Sequence, residues 1–381
     1  GEQSRDFTYV DNVVEANLGA NSSGILLRAE ADARLLADIF DNRIRYNAAD
    51  GIELSTRAND GTDIRQVGGT WVKNTITGNG DHGIEIIGRH GLYDNITEVV
   101  PNTPPGDPTP PSEVVVTPLF IGIDGPDPVD GIDRGNLLTG NGLDGITVNR
   151  GGSLSFANNT VTGNGTGGVD IDTSGLSPNH TSSIKGNDLS SNSGIGLDIN
   201  APTGVTVIST VRDNLIRNND DADLGDAVLT GDGIELTTDA LGTIHLLSTG
   251  NFIEGNDGRG IDVRNVGTLQ LKVGDPLLPL DSGRNEIVGN RHEGVYIVNT
   301  ADSAQPSDVD SSVDLTAAGA VGVIANVMLN FDTNTVEDNG IGSSLNGTGI
   351  VVRAGTNFGD AYFTFRGPSG DVAMEGGLGT S

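Results

Sequence analysis

A single frame, N-x-[ILV]-x-x-N-x-x-x-G-[ILV]-x-[ILV], recurs along the 381 residues and limits what the chain can become. It reads NLLTGNGLDGITV from Asn136 to Val148 and, almost at once, NTVTGNGTGGVDI from Asn159 to Ile171. It also fits without insertion at Asn42, Asn74, Asn187, Asn251 and Asn285. Three further copies, Asn12 to Leu27, Asn214 to Leu236 and Asn334 to Val352, carry extra residues before the glycine. A unit repeated at this spacing cannot bury its apolar side alone and must stack on its neighbours, which is the signature of a solenoid.

Within a copy, apolar residues alternate with polar ones, as in Ile146-x-Val148, and period-2 alternation marks a strand with one buried face. The pairs Asn79-Gly80, Asn141-Gly142 and Asn164-Gly165 are expected to supply the positive φ of tight bends. A third strand precedes the next copy, as in Leu154-x-Phe156, Val205 to Ile208, Ile244-x-Leu246 and Leu269-x-Leu271. Three short strands and three bends per copy specify an all-β chain, a parallel β-helix of about ten coils. No stretch shows the 3.6-residue periodicity that helical repeats of this length need.

Equivalent residues of successive coils then stack about 4.8 Å apart. Ile52, Ile84, Ile146, Val169, Leu197, Ile234, Ile261 and Val295 form one interior column, and the glycine before each lets the chain turn into its strand. The narrow interior fits an aromatic content of only 4%. Asn42, Asn74, Asn136, Asn159, Asn187, Asn214, Asn251 and Asn285 are assigned to a structural ladder. An Asn at a bend tolerates the left-handed conformation, and its amide can bond backbone groups or the next Asn along the axis.

On these motifs the chain resembles the right-handed parallel β-helix repeat proteins, the superfamily that includes pectate lyases and many large bacterial surface proteins. The likeness covers about residues 12–352 and rests on the ten copies above. It implies a right-handed coil. It leaves activity open, because the fold hosts lyases, hydrolases, epimerases, adhesins and fibre proteins.

The organisation expected is a single β-helix over residues 1–353, with surface insertions at about 87–135, 219–232 and 300–320. A terminal strand, Ala361 to Arg366, and a Gly-rich tail fill 354–381. The first insertion holds Pro101, Pro104, Pro105, Pro108, Pro110 and Pro111, which suits an extended excursion. Val114 to Val116 and Phe120 to Ile123 are read as strands rejoining the body. No amphipathic helix covers the first coil, so the expectation is either that a preceding domain caps it or that the coil end meets another subunit in head-to-tail self-association.

Acidic residues outnumber basic ones by 52 to 21, giving a formal net charge of −31, and only Lys73, Lys185 and Lys272 are lysines. That balance argues against nucleic acid or an anionic membrane surface as partner, since phosphates need a basic footprint. It favours an extracellular or cell-surface setting where cations screen the acidic face. Cysteine is absent, which excludes disulfides and thiolate metal sites. No apolar run approaches the length of a membrane-spanning helix.

Chemistry is sought on the outward position of the strand after the glycine. One residue per coil gives Glu53, Glu85, Thr147, Asp170, Asp198, Glu235, Asp262 and Tyr296, most of them acidic. Carboxylates that close repel by about 1 kcal/mol in water and more where water is excluded, so calcium, arginine or salt should compensate. Asp170, Asp172 and Asp198 form the tightest expected cluster, an all-oxygen set suited to Ca²⁺. In the pectate lyases that the chain resembles, calcium sits on this same sheet face. If the protein were an enzyme, Asp81, His82, Glu85 and Asp144 would be its best constellation. Arg259, Asp262 and Arg264 beside Glu235 come second, with an arginine as the base. The lyase segments around a catalytic arginine and the polygalacturonase Asn-Thr-Asp and Gly-His-Gly motifs are missing. The five histidines, His82, His90, His180, His245 and His292, are read as sharing no column.

The expectation is therefore a non-catalytic extracellular structural or adhesive module, with self-assembly into a surface fibre. The alternative is a calcium-dependent polysaccharide lyase or epimerase acting on an acidic glycan. Glycan binding without cleavage has little support, because Trp71, Tyr93 and Tyr296 are too scattered to form a platform.

Overall fold

The computed structural model describes residues 3–29, 33–56, 66–88, 90, 92–95, 113–124, 135–173, 179–220, 231–239, 241–265, 268–274, 283–299, 326–332, 334–337, 339, 350–354, 361–366 and 372–375. The chain winds through three parallel sheets of eleven, ten and eleven strands. Each coil contributes one strand to each sheet in turn: Gln3–Val10 to the first, Val13–Glu15 to the second and Ile25–Ala29 to the third. Among the described residues no helix is long and apolar enough to cross a membrane.

In-register pairing follows the repeat. Ile52, Ile84, Ile146, Val169, Leu197, Ile234, Ile261 and Val295 pair rung by rung in the third sheet, all buried. The interior columns of all three sheets merge into one apolar core running the length of the coil. The few aromatics inside it include Trp71, whose indole N–H donates to the Ala37 carbonyl at 3.0 Å, so this residue offers no glycan platform.

The asparagines form two ladders rather than one. The eight expected residues, extended by Asn12 and Asn334, link Nδ2 to the next Oδ1 at 2.9–3.1 Å. The second Asn of each copy builds a parallel ladder from Asn17 through Asn47, Asn79, Asn141, Asn164, Asn192, Asn219, Asn256 and Asn290 to Asn339, at 2.8–3.1 Å. Each Oδ1 also receives a backbone N–H from the coil before, and most Nδ2 groups also reach a strand carbonyl, as Asn159 does to Ile121 at 2.8 Å. Thus a side chain that turns inward at a corner is fully hydrogen-bonded, which is what lets a polar residue sit in a buried column.

The bends use glycine differently from the expectation. Positive φ falls on the residue before most ladder asparagines, as at Gly78, Gly140 and Gly163, not on the glycine after it. Gly142 is required by close approach instead: a Cβ there would lie 2.0 Å from the Gly80 carbonyl oxygen of the adjacent coil. The glycine that opens the third strand is likewise a contact residue, since a Cβ on Gly83 would meet Gly145 O at 2.5 Å and Asn141 Nδ2 at 2.9 Å.

Part of the first insertion also departs from the expected path. Leu119–Ile121 rejoins the first sheet, but Glu113–Thr117 pairs antiparallel with Leu92–Asn95 as a separate two-stranded ribbon. The proline-rich core of that insertion, most of 219–232 and all of 300–320 lie outside the described residues. Ala361–Arg366 joins the first sheet, and Val372–Glu375, inside the expected Gly-rich tail, pairs with Ile350–Arg353 in the third. Coiling therefore continues past the boundary expected at 353.

The ladders carry a direct prediction. Asn187→Leu deprives Asn159 N and Nδ2 of their acceptor and the Phe156 carbonyl of a donor. At about 1–3 kcal/mol per orphaned buried group, chemical denaturation should report a loss of about 3–9 kcal/mol. A loss under about 1 kcal/mol would show that the ladder is not what joins the coils.

Candidate functional site on the third sheet

The outer side of the third sheet carries two adjacent columns of side chains. One is the expected acidic column. The other, unforeseen, is the residue immediately before the repeat glycine: Ser23, Asp50, His82 and Asp144, then, past Gly167 and Ile195, Asp232, Arg259 and Glu293. Their order is set by coil-to-coil bonds such as Gly24 N to Asp50 O, Gly51 N to His82 O and Gly233 N to Arg259 O. The signal was legible in the repeat, since this position is Asp, Glu or Arg in five of the ten copies.

Toward the N-terminal side, the Asp50, Glu53 and Glu85 carboxylates offer ligand atoms within 4.8 Å of one another. Ser23 Oγ donates to Glu53 at 2.9 Å and to Asp50 at 3.4 Å, and the His82 backbone N–H donates to Asp50 at 3.0 Å. Burial pushes Glu85 up to about 7, reinforced by the charges of Asp50 and Glu53. Burial also raises Asp50, against the hydrogen bond and charge of His82. His82 Nδ1 lies 3.3 Å from both the backbone N and Oδ2 of Asp144. It accepts the N–H when the ring is neutral and donates to the carboxylate when protonated. Burial alone would lower this imidazole, but Asp144, Asp50 and Glu85 outweigh it and hold it above its ordinary value.

Of the proposed quartet, the structure thus gathers His82, Glu85 and Asp144. Asp81 stands apart, acting on Asp50 by charge while its backbone N–H bonds the Ala49 carbonyl.

The expected metal trio is only partly assembled. Asp170 and Asp198 are rung neighbours, but Asp172 pairs with Asn200, whose amide reaches it at 3.5 Å. Among the described residues, three-carboxylate groups close enough to share an ion occur instead at Asp50, Glu53 and Glu85 and at Asp232, Glu235 and Asp262. The reason is that Asp172 lies two residues along the strand from Asp170, on the same face but in the next column. Asp170 is raised to about 6 by burial and by Asp144 and Asp172, and Asp198 is held well above the carboxylate range by burial and Glu235.

At the second group, arginine supplies the compensation. Arg259 donates to Asp262 and Glu293 at 2.9 Å each, its backbone N–H bonds Asp232, and its guanidinium stacks 4.0 Å over the Tyr296 ring. Arg264 donates to the same Asp262 oxygen at 2.9 Å and approaches Glu235 at 3.5 Å. Burial opposes the Arg259 charge, but Asp262, Asp232 and Glu293 more than offset it and raise its pKa further. Arg259 therefore cannot shed a proton to act as the base imagined for it.

The acidic face should respond to pH in a defined direction. Glu85 has a folded-state pKa of about 7 against an unfolded value near 4.5. Its ionisation costs stability in full above pH 7, and that cost disappears as pH falls below the unfolded value. Glu85→Gln should thus raise Tm at pH 8, worth about 1–2 kcal/mol after allowing for solvent at this half-buried group. The gain should vanish by about pH 4 in the same thermal scans. An equal gain at both pH values would dissociate the effect from charge.

The sequence profile of the right-handed β-helix region family matches residues 131–273. No curated protein and no solved structure matches the chain. That profile and the three parallel sheets agree on the architecture, a right-handed parallel β-helix.

Proposed function

We propose that this β-helix is a non-catalytic extracellular rod, a structural or adhesive module of a cell-surface protein that holds other groups at a set distance. The observation that carries this reading is the pair of asparagine ladders, continuous from Asn12 to Asn334 and from Asn17 to Asn339. Ladders of that length tie each coil to the next, so bending the rod requires breaking buried hydrogen bonds. The acidic face supports it, because Arg259 and Arg264 spend their charge on neighbouring carboxylates rather than facing a ligand. Residual repulsion keeps such rods apart unless cations bridge them. Ca²⁺ suits the Asp50, Glu53 and Glu85 oxygens as a structural ion, and the same hard-cation chemistry applies to the Asp170 and Asp198 pair. Head-to-tail stacking would lengthen such a rod into a fibre.

One observation favours a second reading. Glu85 near neutrality beside the His82–Asp144 pair is the environment of a general acid, which suits a calcium-dependent lyase or epimerase on an acidic glycan. The negative face disfavours a polyanion, and the carboxylates around Arg259 hold it protonated. Incubation with a panel of polyuronates, with Ca²⁺ and with chelator, should yield no unsaturated or epimerised product. Electron microscopy should show stiff rods or filaments. Chelator-sensitive turnover that Glu85→Gln abolishes would overturn the structural role.

A further inference from the structure

Two histidines, contrary to the sequence reading, do share a column. One interior position of the first sheet climbs through Val67, His90, Gly152, His180, Val207 and Ile244. His90 and His180 are both fully buried. Their Cα atoms lie two coils apart, yet their rings meet with centroids 5.4 Å apart and planes at 54°. Gly152 makes this contact feasible: a Cβ there would lie 2.7 Å from His90 Nδ1 and Cε1. The rings lean into the slot that the missing side chain leaves. His90 Nδ1 lies 3.3 Å from the Gly88 carbonyl oxygen, but among the described residues neither ring nitrogen of His180 has a hydrogen-bond partner.

Among the described residues, the strands flanking His180 carry no carboxylate. The flanking strands Ser153–Ala157 and Thr206–Arg212 carry Arg212 at the far end, paired in register with Lys185 of the His180 strand itself. The one titratable group acting on His180 is His90, and together with burial it holds His180 well below the ordinary imidazole range.

We propose that the His90–His180 pair is an acid-operated break point, at which the rod opens around Gly152 when its surroundings acidify. An opened imidazole takes a proton below about pH 6.5, whereas the folded interior refuses it. The stability this neutrality provides is full above that pH and is lost as pH falls beneath it. His180 should raise the local opening constant about tenfold between pH 7.5 and 5.5. The carboxylates of the third sheet act in the opposite sense. Glu85, Asp170, Asp198 and Asp232 hold raised folded-state pKa values, so acid relieves their repulsion and tightens that face. Acidification would therefore open one place in the interior rather than melt the rod evenly.

Hydrogen exchange on the full chain at pH 7.5 and 5.5, corrected for intrinsic rates, reads this strand by strand. In the wild type, Ser153–Ala157, Asn179–Lys185 and Thr206–Arg212 should open more readily at pH 5.5, relative to His180→Val, by about tenfold. Valine is already the residue of the next rung, Val207. Should that variant fail to fold, NMR titration of wild-type imidazole Cε1–H signals decides. His180 staying neutral in the native state at pH 5 supports the break point. A pH response unchanged by His180→Val, or a native His180 that titrates near 6.5, would overturn it.

Discussion

The backbone hydrogen bond between successive coils, repeated in register, is the constraint from which the rest follows. A parallel strand pair forms only if every coil returns to the same corner. The asparagine ladders enforce that return by binding the Oδ1 of one coil to the N–H and Nδ2 of the one before. Because the corner side chains are satisfied inside the coil, the polar column carries no desolvation penalty that would drive it outward. Apolar residues then stack on their own kind without needing unusual propensity.

In-register stacking has a cost, since like residues meet like. On the inside this is harmless for isoleucine and leucine, which pack at any rung. On the outside of the third sheet it places carboxylate on carboxylate. The chain resolves the conflict locally, by alternating His82 with Asp144 and by inserting Arg259 among Asp232, Asp262 and Glu293. At Asp50 and Glu85, burial and neighbouring carboxylates hold protons more tightly instead. The acidic face is thus a titrating surface laid along the coil.

Much of this was legible in the repeat. The interior column from Ile52 to Val295 and the ladder from Asn42 to Asn285 could be written down from the frame, because stacking preserves equivalence. The second ladder was present in the same frame, in its second Asn, and so was the charged position before the glycine. What the frame obscured was conformation: glycine stood for positive φ at a bend, whereas at Gly83 and Gly142 its role is to admit the neighbouring coil.

The sequence by itself determined the coil, its three strands per turn and which residues face inward, because a period is a one-dimensional property that stacking simply multiplies. Only the tertiary structure decided which side chains from different coils meet. Asp50, Glu53 and Glu85 gather while Asp172 turns to Asn200, and His90 reaches His180 across Gly152. Those encounters depend on side-chain lean across rungs and on insertions of unequal length between them. Neither leaves a mark in the period, so the charged cluster and the buried imidazoles had to be seen in three dimensions.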